Sequence, residues 1–313
     1  MELVKKVLRG DERSAARLIS MIEEGRDEGY KAISLIFPHT GKAHIIGVTG
    51  APGAGKSTLI GRLAVSFAGQ GKKIGIIAVD PTSFEGNGAL LGDRIRMRDA
   101  EKDGVFIRSM AHRGYPGGIA KATAGAVYVL DALGKEIIIV ETVGAGQTEG
   151  QISSLCNTVI TLLTPDYGDE IQLMKAGLLE IGDIVAINKT DKAGAEEIAM
   201  DVAVHIDQRK QNGWQTPVLT IHAVKGEGID RLIDAIKAHF AYLSEGTYGE
   251  SRKKEKLRRL ICALLKEEAW NKLINTWSSD QHFEGILKRF QDSEVDLYSA
   301  VQEALEVFFG KRM

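Results

Sequence analysis

The residues Gly50, Ala51, Pro52, Gly53, Ala54, Gly55, Lys56 and Ser57 fit G-x-x-x-x-G-K-[ST], the loop with which nucleoside triphosphatases hold phosphate. Glycines let such a loop curl until successive N–H groups converge on phosphate oxygens. A helix opening at Lys56, with Ser57 and Thr58 in its first turn, adds partial positive charge. Lys56 has the reach for the β- and γ-phosphates, and the Ser57 hydroxyl is suited to Mg²⁺. Gly50 through Thr58 is therefore the first candidate nucleotide-binding stretch.

A second group, Asn188-Lys189-Thr190-Asp191, matches the N-K-x-D motif that reads guanine. A carboxylate at Asp191 accepts from both guanine N1–H and the exocyclic amine. Adenine would leave it without those donors, a loss on the order of 2–3 kcal/mol. Lys189 would lie along the base, with Asn188 bracing the loop. Ala223 and Lys225 could back the guanine from Ile221-His222-Ala223-Val224-Lys225-Gly226, where His222 stands in the place expected for Ser.

Three acids complete the chemistry. Glu141 ends an apolar run and is followed by Thr142-Val143-Gly144, the form of a γ-phosphate sensor. The Gly144 N–H would bond the γ-phosphate, and Glu141, at a position where Asp is usual, would bind Mg²⁺ directly or through water. Asp80, in Val79-Asp80-Pro81-Thr82-Ser83, could hold Mg²⁺-bound water or orient the attacking water; it could equally cap a helix or start a turn. Asp93, in Gly92-Asp93-Arg94-Ile95-Arg96-Met97, points toward Mg²⁺ if that stretch is a loop near the phosphates, although a surface salt-bridge helix would read alike. Ala145, not Gln, follows Gly144, and Gln147 comes later. That predicts slow intrinsic hydrolysis, with the missing group supplied by a partner or a second subunit.

These residues need strand ends and helix starts to position them. Apolar runs of strand length begin near His44 and cover 74–79, 105–107, 137–140, 159–163, 184–187 and 218–221. Most are apolar throughout, as suits a parallel sheet buried on both faces. Helical patterns over 56–70, 117–134, 169–181, 194–211 and 229–243 alternate with them. The predicted fold class is α/β, a P-loop NTPase with a mostly parallel, doubly wound sheet. Residues 1–42 read as a helical preface, with Asp11 capping a helix that carries Ala15, Leu18, Ile19 and Ile22. Residues 43–245 form the nucleotide domain and 246–313 a helical arm. The basic run 252–259 reads as a solvated helix face, with a partner-binding patch as the alternative.

The length, 313 residues with 44% hydrophobic and 26% charged, suits a globular protein with a substantial core. A net charge of −2 gives no bias toward nucleic acid or an anionic membrane. No apolar run approaches the ~20 residues of a membrane span, and the start lacks a signal-peptide core. Cys156 and Cys262 read as reduced core thiols, so a cytoplasmic setting is expected.

Asp80-Pro81-Thr82-Ser83, Leu91 to Met97, Glu141 to Glu149 and Asn188 to Asp191 together give a resemblance. The sequence resembles the MeaB/ArgK-type GTPases nearly end to end, including Val7-Leu8-Arg9-Gly10-Asp11-Glu12-Arg13. The resemblance implies the signal-recognition and metal-insertase class of P-loop GTPases. It implies GTP and GDP as ligands, Mg²⁺ as cofactor, and a homodimer to which the C-terminal arm contributes. It also implies a partner, an adenosylcobalamin-dependent acyl-CoA mutase such as methylmalonyl-CoA mutase, whose cofactor loading or protection the GTPase gates. By motif, Lys56 and Ser57 take phosphate and Mg²⁺; Asp80, Asp93 and Glu141 become metal-shell or water-orienting acids; Asn188, Lys189 and Asp191 read guanine. Where family members read Pro-Phe-Thr-Gly-Gly, this chain has Phe84-Glu85-Gly86-Asn87-Gly88, in a loop that could touch the partner. A nickel-type metal insertase and a small-molecule kinase of the same fold are the alternatives. The first lacks its usual Cys/His cluster here, and the guanine motif argues against an ATP-dependent kinase.

Overall fold

Strands with apolar residues on both faces can be covered only from both sides, and that governs this architecture. The computed structural model describes residues 2–80, 104–111, 118–141, 154–165, 178–208, 213–245, 247–277 and 281–309. Among them, seven strands form one sheet: β1 (His44–Gly50), β2 (Ile74–Asp80), β3 (Phe106–Ala111), β4 (Ile137–Glu141), β5 (Thr158–Leu163), β6 (Ile184–Ile187) and β7 (Val218–Thr220). Their order is β3-β2-β4-β1-β5-β6-β7, and every pairing is parallel. All the expected strands are present, and the α/β class holds. Of the expected helix over 169–181, only α6 (Leu178–Ile181) lies among the described residues.

Alternation along each strand sorts side chains between two cores. Ile137 and Ile139 join Ile46, Val48, Ile160 and Leu162 on one face. Helices α4 (Lys56–Gly69) and α8 (Ile229–Ser244) cover it with Leu59, Leu63, Phe67, Leu232 and Ile236. Ile138 and Val140 face the other way with Ile77 and Val79. That side is covered by α5 (Gly118–Ala132) and by the helices at the chain's start, α1 (Glu2–Leu8), α2 (Glu12–Glu23) and α3 (Asp27–Ile36). A smaller cluster sets Val185 and Ile187 against Ile198, Val202 and Ile206 of α7 (Ala195–Asp207).

Asp11 caps α2 as expected, accepting from Arg13 N at 3.0 Å and from Ser14 Oγ at 2.7 Å. The turn into β1 is fixed from α5: Asp131 accepts from the backbone N–H groups of Gly41, Lys42 and Ala43 at 2.6, 3.3 and 3.2 Å. Lys135, itself buried, pairs with Glu12 at 2.7 Å, and Arg108 pairs with Glu23.

A buried polar network occupies the sheet edge opposite the phosphate loop. Thr158 Oγ1, at the start of β5, lies 2.8 Å from His44 Nε2 and 2.8 Å from His239 Nδ1. Asp183, just before β6, accepts from Val159 N at 2.9 Å and pairs with Arg252. Trp214 Nε1 donates to Asp183 O at 2.8 Å. Lys256 donates to Cys156 O and, at 3.2 Å, to Asn157 O. Arg252 and Lys256 thus turn inward, so the basic run 252–259 is not wholly a solvated face. Burial pushes His44 down to about 3 and His239 down to about 4, so both rings are neutral near pH 7.

The chain divides into two compact units, Met1–Leu260 and Ile261–Met313. The helix α9 (Thr247–Trp277) begins in the first. Its apolar residues Leu257, Ile261 and Leu265 are exposed. In the second unit, Ile286 of α10 (Gln281–Gln291) packs with Ala300 and Ala304 of α11 (Leu297–Phe309). Burial raises the Cys156 thiol to about 12. Cys262, expected in the core, is exposed. Among the described residues, no helix is long and apolar enough to cross a membrane.

Candidate functional site

Parallel strands bring their C-terminal ends to one edge, and the candidate residues gather there. The register sets Val48 beside Glu141 and Gly50 beside Leu162. Gly50 ends β1 with φ of 147°, and a Cβ there would meet Leu162 O at 2.3 Å. Gly55 has φ of 95°, and a Cβ there would lie 2.5 Å from Asn188 Nδ2. Both positions thus require glycine, for backbone conformation and for space. Between them the loop closes through Ala54 N to Ala51 O at 3.2 Å, and α4 starts at Lys56.

Lys56 is buried, and its Nζ donates to Gly50 O at 2.9 Å and Ala51 O at 3.2 Å. The ammonium is thereby held against the loop. Ser57 Oγ donates to Glu141 Oε1 at 2.9 Å, and both groups are buried. Two hard oxygen donors meeting beside a phosphate loop form a donor set suited to Mg²⁺. Asp80 closes β2 in register with Ala111; its side chain lies outside the described residues, as do Asp93 and Gly144.

Asn188 follows β6 and is 4% exposed, so its amide must find partners inside the protein. Nδ2 donates to Ala54 O at 2.8 Å, and Oδ1 accepts from Ala223 N at 3.0 Å. One side chain thus joins the phosphate loop, the Asn188 to Asp191 loop and the turn after β7. Lys189 has φ of 63°, a left-handed conformation uncommon outside glycine. Asp191 is half exposed, Ala223 is buried and Lys225 is exposed.

Two residues not proposed from sequence support this arrangement. Arg62, on α4, donates from Nε to Ala223 O at 3.1 Å and from Nη2 to Val224 O. His222 lies between the turn and Asp191, its Nε2 being 3.2 Å from Asp191 Oδ1. Arg62 has no sequence signal, because an arginine on a surface helix is ordinary. His222 did have one: it occupies a motif position where another residue is expected.

A parallel sheet with a phosphate loop after its central strand, tied by one asparagine to a guanine-type motif, defines a P-loop GTPase. The chain belongs to the family described as methylmalonyl-CoA mutase-associated GTPase MeaB, whose model matches residues 15–278. A Pyrococcus abyssi protein named as a GTPase is 42% identical over 318 residues, covering 99% of this chain and 97% of that one. The GTPase ArgK of Escherichia coli is 30% identical over 317 residues, covering 97% of this chain and 95% of ArgK. A mouse protein named methylmalonic aciduria type A homolog, mitochondrial, is 35% identical over 201 residues, 61% of this chain and 48% of its own length. Among solved structures, one titled LAO/AO transport system kinase shares the fold, with a TM-score of 0.75 at 23% identity over 98% of this chain and 96% of that one. The chain is accordingly a GTP hydrolase that binds guanine nucleotides.

Proposed function

We propose that this GTPase serves an adenosylcobalamin-dependent acyl-CoA mutase of the methylmalonyl-CoA mutase type, gating the loading or protection of its cofactor. The observation that carries the nucleotide half is the Asn188 bridge, which sets a phosphate loop and a base-reading loop as one body. The family's description as mutase-associated supports the partner half.

In this reading Gly50 to Thr58 enclose the phosphates, and Lys56 leaves the loop carbonyls for the β- and γ-phosphate oxygens. Asn188 holds the loop, Lys189 lies along the base, Asp191 reads N1–H and the 2-amine, and Ala223 and Lys225 back the ring. Ser57 and Glu141 would hold Mg²⁺, with Asp80 and Asp93 as further members of its shell. When bound, the ion would supply positive charge that neutralises the phosphates. Gly144 would sense the γ-phosphate. With Ala145 in place of a water-orienting glutamine, the chain alone turns over slowly, and a partner or a second subunit supplies the missing group.

We also assign a homodimer with 246–313 as the dimerising arm, a 43–245 nucleotide domain behind the 1–42 preface, and a cytoplasmic setting without nucleic acid or membrane as partner. The test is co-purification with candidate cobalamin mutases, with and without GTP, followed by turnover measurement. Nucleotide-dependent capture with stimulated hydrolysis is the expected result. Rapid turnover by the chain alone, tens per second, would overturn the partner-dependent mechanism.

A further inference from the structure

We propose that His222 is a positioning residue for base selection: it holds the Asp191 carboxylate in the one orientation that distinguishes guanine from hypoxanthine. This rests on the assignment of Asp191 as the base reader.

The backbone of His222 is fixed at both ends. Its N–H donates to Glu227 O at 3.0 Å, and its carbonyl accepts from Gly226 N at 2.9 Å. Its ring is 11% exposed, and Nδ1 accepts from Lys225 N at 3.2 Å. A nitrogen that accepts carries no hydrogen, so the ring hydrogen belongs to Nε2. Nε2 lies 3.2 Å from Asp191 Oδ1. The tautomer is therefore set by the turn, and the turn aims a donor at the carboxylate.

Asp191 needs that donor. Its side chain is 51% exposed, in a loop that leaves the sheet just before it. A half-exposed aspartate samples several rotamers, and ordering it on binding subtracts from affinity. One bond to Oδ1 settles the rotamer yet leaves Oδ2, and the second lone pair of Oδ1, for N1–H and the amine. His222 thus touches no ligand in this scheme; it acts through Asp191.

The consequence is specific to the 2-amine. Inosine diphosphate keeps O6 and N1–H but lacks that group, so a correctly aimed carboxylate prefers GDP over IDP, and a wandering one prefers it less. His222→Asn leaves an acceptor near the Nδ1 position, for Lys225 N–H, and nothing at Nε2. His222→Gln places a donor near the Nε2 position. Calorimetric affinities for GDP and IDP are expected to show the GDP preference falling at least about fivefold in His222→Asn, mainly through weaker GDP binding, and staying within about twofold in His222→Gln. A preference unchanged in His222→Asn, or equal weakening of both nucleotides, would overturn the proposal, because a turn that merely collapses cannot sense the 2-amine. If His222→Asn does not fold by circular dichroism, His222→Ala is read by the same ratio. Asp191→Asn separates the two layers. A switch toward xanthosine diphosphate upholds Asp191 as the reader, so that an unchanged GDP-to-IDP ratio then sinks His222 alone. If Asp191→Asn leaves base preference as it was, the reader assignment fails and this inference with it.

Discussion

Gly55 and Asn188 approach so closely that a Cβ on the glycine would sit 2.5 Å from the asparagine amide nitrogen. That nitrogen donates to Ala54 O, so the glycine's missing side chain is what lets a residue far away in sequence grip the loop. Gly55→Ala must push Asn188 away and strain a φ of 95°. The combined loss is about 2–3 kcal/mol, about 100-fold in GDP affinity. Fluorescent-nucleotide titration checks this; near-normal binding would show that the asparagine contact is dispensable.

Lys56→Ala removes the cation that bonds Gly50 O and Ala51 O. We expect GTP turnover to fall below detection while far-ultraviolet circular dichroism is unchanged. Retained hydrolysis would remove Lys56 from the phosphate-binding role.

Glu141→Gln keeps the shape of the buried acid and its contact with Ser57 Oγ, while removing the charge. If Glu141 belongs to the Mg²⁺ shell, the ion concentration for half-maximal turnover rises at least about tenfold. A Mg²⁺ titration of GTPase rate reads it, and an unshifted midpoint argues for a packing role alone.

Asp183→Ala breaks the buried pairing with Arg252 and leaves that guanidinium, 20% exposed, without its carboxylate. Removing one partner of such a pair costs about 3–5 kcal/mol. The urea midpoint is expected to fall accordingly, while nucleotide affinity, which the proposed site assigns to the opposite strand ends, changes little. A stability loss under about 1 kcal/mol would place the Arg252 contact among weak surface pairs.

His44 and His239 give the fold an acid limit. Their folded values, about 3 and about 4, lie below the ordinary 6.5, so between these pH values the unfolded chain binds more protons. Stability is complete above pH 6.5 and is lost as pH falls through that value toward 4 and then 3. The slope is about 1.4 kcal/mol per pH unit for each ring once its unfolded form is protonated. Urea unfolding from pH 7.5 to 4.5 measures it, and His239→Gln should flatten the profile.

The strands were legible because β1 to β7 are short apolar runs between polar breaks, and burial on both faces leaves that pattern. The G-x-x-x-x-G-K-[ST] and N-K-x-D motifs were legible because such chemistry dictates residue type at fixed spacing, and the structure brings both motifs to the C-terminal ends of the strands. The polar network was not. His44, Thr158, Asp183, His239 and Arg252 are scattered along the chain, and each alone reads as a bland surface residue. Only the parallel register carries His44, Thr158 and Asp183 to one edge. The inward turn of Arg252 and Lys256 was hidden for a related reason: a basic run has the same composition whether its charges face water or a buried aspartate. The third preface helix, Asp27–Ile36, has no side-chain N-cap bond, and that removed the signal that had marked Asp11.

The two bonds of Asn188 have a further meaning. Asn188 fastens the Gly50–Ser57 loop to the Asn188–Asp191 loop and to the turn that begins at Ala223, and Arg62 ties that turn to α4 as well. The gap between them is consequently a gauge, cut to one length by the folded protein. On the proposed assignment, a nucleotide entering it would be measured from base edge to phosphate tail as well as tested for charge, and one whose sugar holds those ends too near or too far would not engage both.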